Sequence, residues 1–238
     1  MPNNLGFCGP DENGRILEHL HSSSSSESLL STLKEFEAAY PFIRMIAEST
    51  GKSPFDYDVT EAYWIGNRLL DKVEPARFFE FSHGRPGSHL SKDEARTIFR
   101  QLGGSAKPHH TFYVLGMYGS SKGSPLAETK VLDLMDSCRI SWGRVLEVKK
   151  KTLVVERSPL VIEGDLLKLA SPLKREVKYD SAISPFGRIR NGDWVSLHWD
   201  FASEKLKEYQ VRNLRAYTAL DIEATNAVAR SRGRKKPR

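Results

Sequence analysis

The sequence predicts an α+β protein in which a mainly helical N-terminal part precedes a β-rich part that closes on a helix. Two observations carry the prediction. Apolar residues recur at near-helical spacing through the first half, and beyond the turn-rich stretch GSSKGSP at 119–125 the spacing changes to alternation. The 238 residues are 39% hydrophobic and 10% aromatic, enough to bury ordinary cores. The expected division is a helical domain over 1–124, a β domain with its terminal helix over 125–226, and a disordered basic tail over 227–238.

The serine run Ser22–Ser26 reads as a loop. After it, Leu29, Leu33, Phe36, Tyr40 and Ile43 form one helical face that Pro41 should divide. In DVTEAYWIGNRLLDKV the residues Ala62, Ile65, Leu69 and Val73 make a second stripe, with Asp58 as its N-cap. Ser91-Lys92-Asp93-Glu94 is a capping-box pattern for a helix that closes on Gly103-Gly104. A short helical piece near Glu128–Met135 follows. Strands are then expected at Val145–Val148 and Thr152–Glu156, with turns at Lys149–Lys151 and Glu163-Gly164-Asp165. Gly192-Asp193 introduces the strand WVSLHW, and ASEKLKEYQVRNLRAYTALDIEA reads as the closing helix.

Composition narrows the classes of function. No apolar run approaches the roughly 20 residues that span a bilayer, and the N-terminus lacks a secretory pattern, so a cytoplasmic protein with no membrane partner is expected. The net charge of +6 lies in the tail, where Arg230, Arg232, Arg234, Lys235, Lys236 and Arg238 stand without an acid. Removing those six from the 36 Lys and Arg leaves 30 against 30 Asp and Glu, so nucleic-acid binding is not expected. Nucleophile-elbow, phosphate-loop and Cys-x-x-Cys signatures are absent.

Two cysteines, Cys8 and Cys138, read as reduced thiols. Cys138 stands in CRISWGRV, just ahead of the first strand. In GDWVSLHW, alternation puts Trp194, Ser196 and His198 on one face and Val195, Leu197 and Trp199 on the other. A small barrel sets its first strand beside a later one, so the Cys138 thiolate and the His198 imidazole can meet over one rim.

On these residues the C-terminal part, roughly 136–222, resembles the HypC/HupF chaperones of nickel-iron hydrogenase assembly. Cys138, Gly143 and Val145 fit the family's Cys-x-x-x-Pro-Gly-x-Val motif. Gly192, Asp193, Trp194, Val195, Leu197, His198, Phe201 and Ala202 fit its second motif, in the same order. The resemblance implies a small HypC-like (OB-like) β-barrel with a C-terminal helix. It also implies an iron carrying diatomic ligands held by Cys138 and His198, and a protein partner in a metallocofactor-assembly pathway. The chain departs from the pattern in three ways: Cys138 is internal, Trp142 replaces the proline, and the segment between the motifs is long.

The N-terminal half resembles only uncharacterised proteins with Cys-Gly-Pro, Ala-Tyr-Trp-x-Gly-Asn and Pro-His-His signatures. Cys8, His109, His110 and Glu61 supply atom types for a soft or borderline metal site, and Glu61 stands near Tyr63, Trp64 and Asn67 in TEAYWIGN. Adjacent histidines diverge, so at most one of His109 and His110 joins a given site. A tight interface between the halves would bring Pro108-His109-His110, and with it Cys8, to the Cys138–His198 rim. The other reading has helices that only cap the barrel and histidines that satisfy carbonyls. Two further functions stay open: a metal-free interaction module whose entrance Trp142 has altered, and an enzyme of cofactor synthesis that uses Cys8, Glu61, His109 or His110.

Overall fold

The computed structural model describes residues 27–84, 88, 90–119, 129–179 and 188–233. Cys8, most of GSSKGSP and the last five residues lie outside them.

Pro41 divides the first helical stretch as expected. Helix α1 (Glu27–Lys34) ends before it, and α2 (Tyr40–Thr50) takes it into its first turn, where a missing N–H costs nothing. The next stretch is not the continuous helix its apolar stripe suggests. Helix α3 (Tyr57–Trp64) starts after Asp56 rather than Asp58 and stops before Gly66, which has φ 88° and presses on Tyr217 so closely that a Cβ would come within 2.3 Å of the ring. Arg68–Lys72 is a separate 3₁₀ turn capped by Asn67, whose side chain accepts from the Leu69 N–H. Helix α4 (Pro75–Gly84) follows, then α5 (Lys92–Leu102), where Ser91 and Glu94 form the expected capping box. Phe112–Tyr118 is wound as a π-helix, and its Leu115 carbonyl accepts from Thr225 Oγ1 at 2.7 Å. Phe42, Tyr63, Phe78 and Phe112 fill the core that these elements enclose.

Helix α6 (Thr129–Cys138) leads through Arg139 and Ile140 into β1 (Ser141–Val148). Strands β2 (Thr152–Arg157), β5 (Leu173–Lys178), β6 (Trp194–His198) and β7 (Phe201–Leu206) close with it into a five-stranded barrel in the order β1-β2-β5-β7-β6. Strands β3 (Leu160–Glu163) and β4 (Leu166–Leu169) form a separate hairpin that turns at Gly164. Val145, Leu153, Val155, Val177, Val195, Leu197 and Ala202 pack the barrel interior. Gly143 fits among them because a Cβ there would stand 3.0 Å from Val155 Cβ and 3.1 Å from Leu197 Cδ1. The glycine in CRISWGRV is therefore a packing requirement of the barrel.

Two expectations for the C-terminus are corrected. Ala202–Leu206, read as the start of the closing helix, form β7, because Ala202 and Leu206 point inward at strand spacing while the sequence also permits helical spacing onward from Leu206. Residues 227–233, assigned to a disordered tail, continue the terminal helix α7 (Glu208–Gly233). Ala224, Ala227 and Val228 are buried there, and Arg232 bonds Glu94 at 2.5 Å, so the helix gains a seat on the N-terminal core. Asn226 donates to the Leu167 carbonyl and accepts from its N–H at 3.0 and 2.8 Å, tying α7 to β4. The two halves thus share one helix and an apolar seam of Ile65, Ile140, Leu206, Val211 and Leu214 beside Trp64, Trp142 and Trp194. None of the described helices is long and apolar enough to cross a membrane.

Candidate metal centre

His110, Cys138 and His198 each offer one donor atom, and the three atoms lie within 4.8 Å of one another. Each comes from a different part of the chain, and local features fix each in place.

Cys138 is the last residue of α6, a helix end anchored by Asp136. That carboxylate accepts from Arg139 at 3.1 and 3.0 Å, from Arg157, and from the Leu160 N–H at 2.9 Å. Arg139 also donates to the Ser158 carbonyl at 2.7 Å. Burial pushes the Arg139 guanidinium down to about 10, against the pull of Asp136, so it stays charged at neutral pH.

His198 ends β6 at a two-residue hairpin. Trp199 and Asp200 have φ of 54° and 57°, the left-handed pair that a turn of this length needs, although neither is glycine. Such backbone costs roughly 1–2 kcal/mol per residue and is kept where surrounding contacts over-determine it. Those contacts are present. Trp199 donates its N–H to the Ser137 carbonyl at 2.8 Å, the Asp200 carbonyl accepts from Lys178 at 2.8 Å, and the Asp200 carboxylate accepts from Arg175 at 2.8 Å. The first of these bonds ties the His198 hairpin to the residue before Cys138.

His110 arrives just ahead of the π-helix. Its Nε2 donates to the Cys138 carbonyl at 2.8 Å and lies 3.9 Å from Cys138 Sγ, while Nδ1 is 3.2 Å from the Tyr63 hydroxyl. Burial, reinforced by neighbouring His198, depresses its pKa to about 3, so the imidazole is neutral at physiological pH. His198 Nε2 is buried with no hydrogen-bond partner among the described residues. Trp64 roofs both imidazoles, with ring centroids 4.7 Å from His110 and 5.9 Å from His198.

The other expected candidates fall elsewhere. His109 turns away, and its Nε2 lies 3.2 Å from Asp221 Oδ2 in a buried pair under the Tyr217 ring, because adjacent residues at a helix start diverge. Glu61 accepts from Asn67 at 2.9 Å and from Tyr209 and Gln210 at 2.8 Å each, so its oxygens are committed to closing α3 onto α7. Asn67 caps the 3₁₀ turn and braces Glu61. Trp142 sits in the interdomain seam, with the Arg139 and Arg215 guanidinium carbons each 5.9 Å from its ring.

One residue beside the centre escaped sequence reasoning, whereas Tyr63 stands in TEAYWIGN among the neighbours of Glu61. Glu204 lies on β7 past a register break, where Ser196 pairs with Glu204 but Leu197 pairs with Ala202, so Ser203 is an extra residue. Cavities flank the triad on two sides. One, of about 270 Å³, is lined by His198, Trp64, Glu61 and Glu204, and the other, of about 190 Å³, by Cys138, Tyr118 and Trp199. Burial raises the Glu204 carboxyl to about 6, with Glu61 adding to the shift.

No curated protein and no solved structure matches this chain. Residues 1–232 match a family described as "Family of unknown function (DUF6390)", a span that takes in the helical half, the barrel and nearly all of α7. The chain therefore belongs to that family.

Proposed function

We propose that the protein is a metallocofactor-assembly or metal-carrier protein that binds ferrous iron, or an iron complex, through Cys138, His198 and His110. The single observation behind this reading is the convergence of a thiol and two imidazoles, from three separate elements, on a space of one ion's size. The donor chemistry fits. A neutral imidazole and a thiolate suit a borderline divalent ion, and among the described residues the buried His198 Nε2 lacks the partner that such a group ordinarily has. His110 would ligate through Nε2 by giving up the Cys138 carbonyl. Its Nδ1–H would then donate to the Tyr63 hydroxyl, which fixes the tautomer. Bound iron would supply positions for small exogenous ligands, and this chain's residues would hold it, shield it under Trp64 and present it to a partner.

The resemblance of Cys138-to-Val145 and Gly192-to-Ala202 to the HypC/HupF motifs points to nickel-iron hydrogenase maturation as the setting, with the partner a protein of that pathway. A metal-free reading is favoured by one contact, the 2.8 Å bond by which His110 already satisfies the Cys138 carbonyl. Anaerobic loading of the purified chain with ferrous iron, followed by metal analysis, separates the two. Wild type should retain about one iron per chain. Cys138→Ser and His198→Ala should lose it, and His110→Ala should weaken it by roughly 10- to 100-fold or more. Equal iron in all four proteins would leave the metal-free clasp.

A further inference from the structure

The cavity on the His198 side has features that the triad does not use. It lies between α3 and the β6–β7 edge of the barrel, and its volume of about 270 Å³ exceeds the roughly 150 Å³ known to admit benzene. Two carboxylates line it, and none of its described lining residues is Lys or Arg. Glu61 is satisfied by three donors, whereas the Glu204 carboxylate has no hydrogen-bond or ion-pair partner among the described residues. The β-bulge at Ser203 sets this carboxylate beside Ser196, whose hydroxyl oxygen is occupied by the Glu204 N–H at 3.1 Å. Trp64, Ile65 and Ile140 also line the cavity.

We infer that this cavity is a binding site for a small organic cation, an alkylammonium or guanidinium compound, with Glu204 as its carboxylate partner and Trp64 as its aromatic wall. Two like charges in one partly desolvated space repel, and a single positive guest relieves that repulsion as it pairs with Glu204. An indole face adds cation–π attraction, and the two isoleucines favour an alkyl chain over a bare hydrated ion. Burial first, and the Glu61 charge second, raise the Glu204 carboxyl. The groups that face it are Glu61 and Tyr57 from α3, His198 from β6, and Tyr209 and Gln210 behind Glu61 on α7. None of them is a permanent cation.

The test uses the full chain without added metal, so its failure and that of the iron reading are distinguishable. Butylammonium is titrated at pH 7.5 with 1-butanol as the neutral isostere, and the Trp64 indole and Glu204 amide signals are followed by NMR. A saturable shift with butylammonium, and at least tenfold weaker binding of 1-butanol, is expected. Glu204→Gln should lower the amine affinity at least tenfold while leaving the fold intact by circular dichroism, and Trp64→Leu should lower it severalfold. Equal binding of the alcohol, no saturable shift, or undiminished binding by a folded Glu204→Gln overturns the inference.

Discussion

Glu204 shows how much one register slip decides. Without the extra Ser203, alternation along β7 would place position 204 differently against Ser196, and the cavity would lose its unpaired carboxyl. Its carboxyl is raised from an ordinary 4.5 to about 6, so the folded state holds the proton more tightly than the unfolded chain. The sign follows: stability is favoured below 4.5 and declines as pH rises through about 6, a cost of at most about 2 kcal/mol above that window. Glu204→Gln is therefore expected to be more stable than wild type by about 1–2 kcal/mol at pH 7.5 and no more stable near pH 4. Urea unfolding of both proteins at the two pH values measures the difference. A gain of the same size at both would show that the glutamine acts through something other than charge.

Among the elements, α3 most directly shapes the centre, because it carries Tyr63, Trp64 and Glu61 within one turn and stops at once. Gly66 enforces the stop. A Cβ at this position would meet both a positive φ and the Tyr217 ring, so Gly66→Ala should destabilise the fold by about 2–4 kcal/mol and displace Trp64 from the two histidines. Thermal unfolding, together with indole fluorescence of Trp64, checks both consequences. The sequence alone did not reveal this break, since Ala62, Ile65, Leu69 and Val73 fit one helical stripe and a lone glycine is compatible with a helix interior. The strand of His198 was legible, because Val195 and Leu197 alternate cleanly into the barrel, and so was the Ser91–Glu94 capping box. What was illegible depends on distance in sequence. Ala202–Leu206 satisfy strand and helix patterns equally, and only their pairing with β6 selects the strand. Barrel geometry and motif resemblance together pair Cys138 with His198, and a tight interface between the halves is the ground for expecting one of the two adjacent histidines there; which of them turns inward no periodicity announces.

In the whole molecule, α7 joins the halves, and the buried His109–Asp221 pair is its clasp. Burial drives the Asp221 carboxyl upward while His109 pulls it back, so the two depend on each other. His109→Ala leaves that carboxyl buried without its partner and should cost about 3 kcal/mol or more. Iron content after anaerobic loading should nevertheless match that of wild type, because His109 faces away from the triad. Calorimetry and metal analysis on one preparation read both quantities. Loss of iron at full stability would reverse the roles of the two adjacent histidines. Because α7 and the seam at Ile65, Ile140 and Leu214 bind the helices to the barrel, thermal unfolding should run as one transition instead of two.

The hairpin at Trp199-Asp200 has a consequence for the order of events during synthesis. Its bond to the Ser137 carbonyl joins a segment to one made before it, and His110 belongs to one made earlier still. The three donors therefore meet only after β6 and its turn have left the ribosome and the barrel has closed. A growing chain exposes Cys138 as an isolated thiol with no neighbours to share an ion, and so offers a metal little to hold. Under the proposed function, capture would require synthesis through β6 and its turn: a chain that stops before His198 would lack the three-donor set.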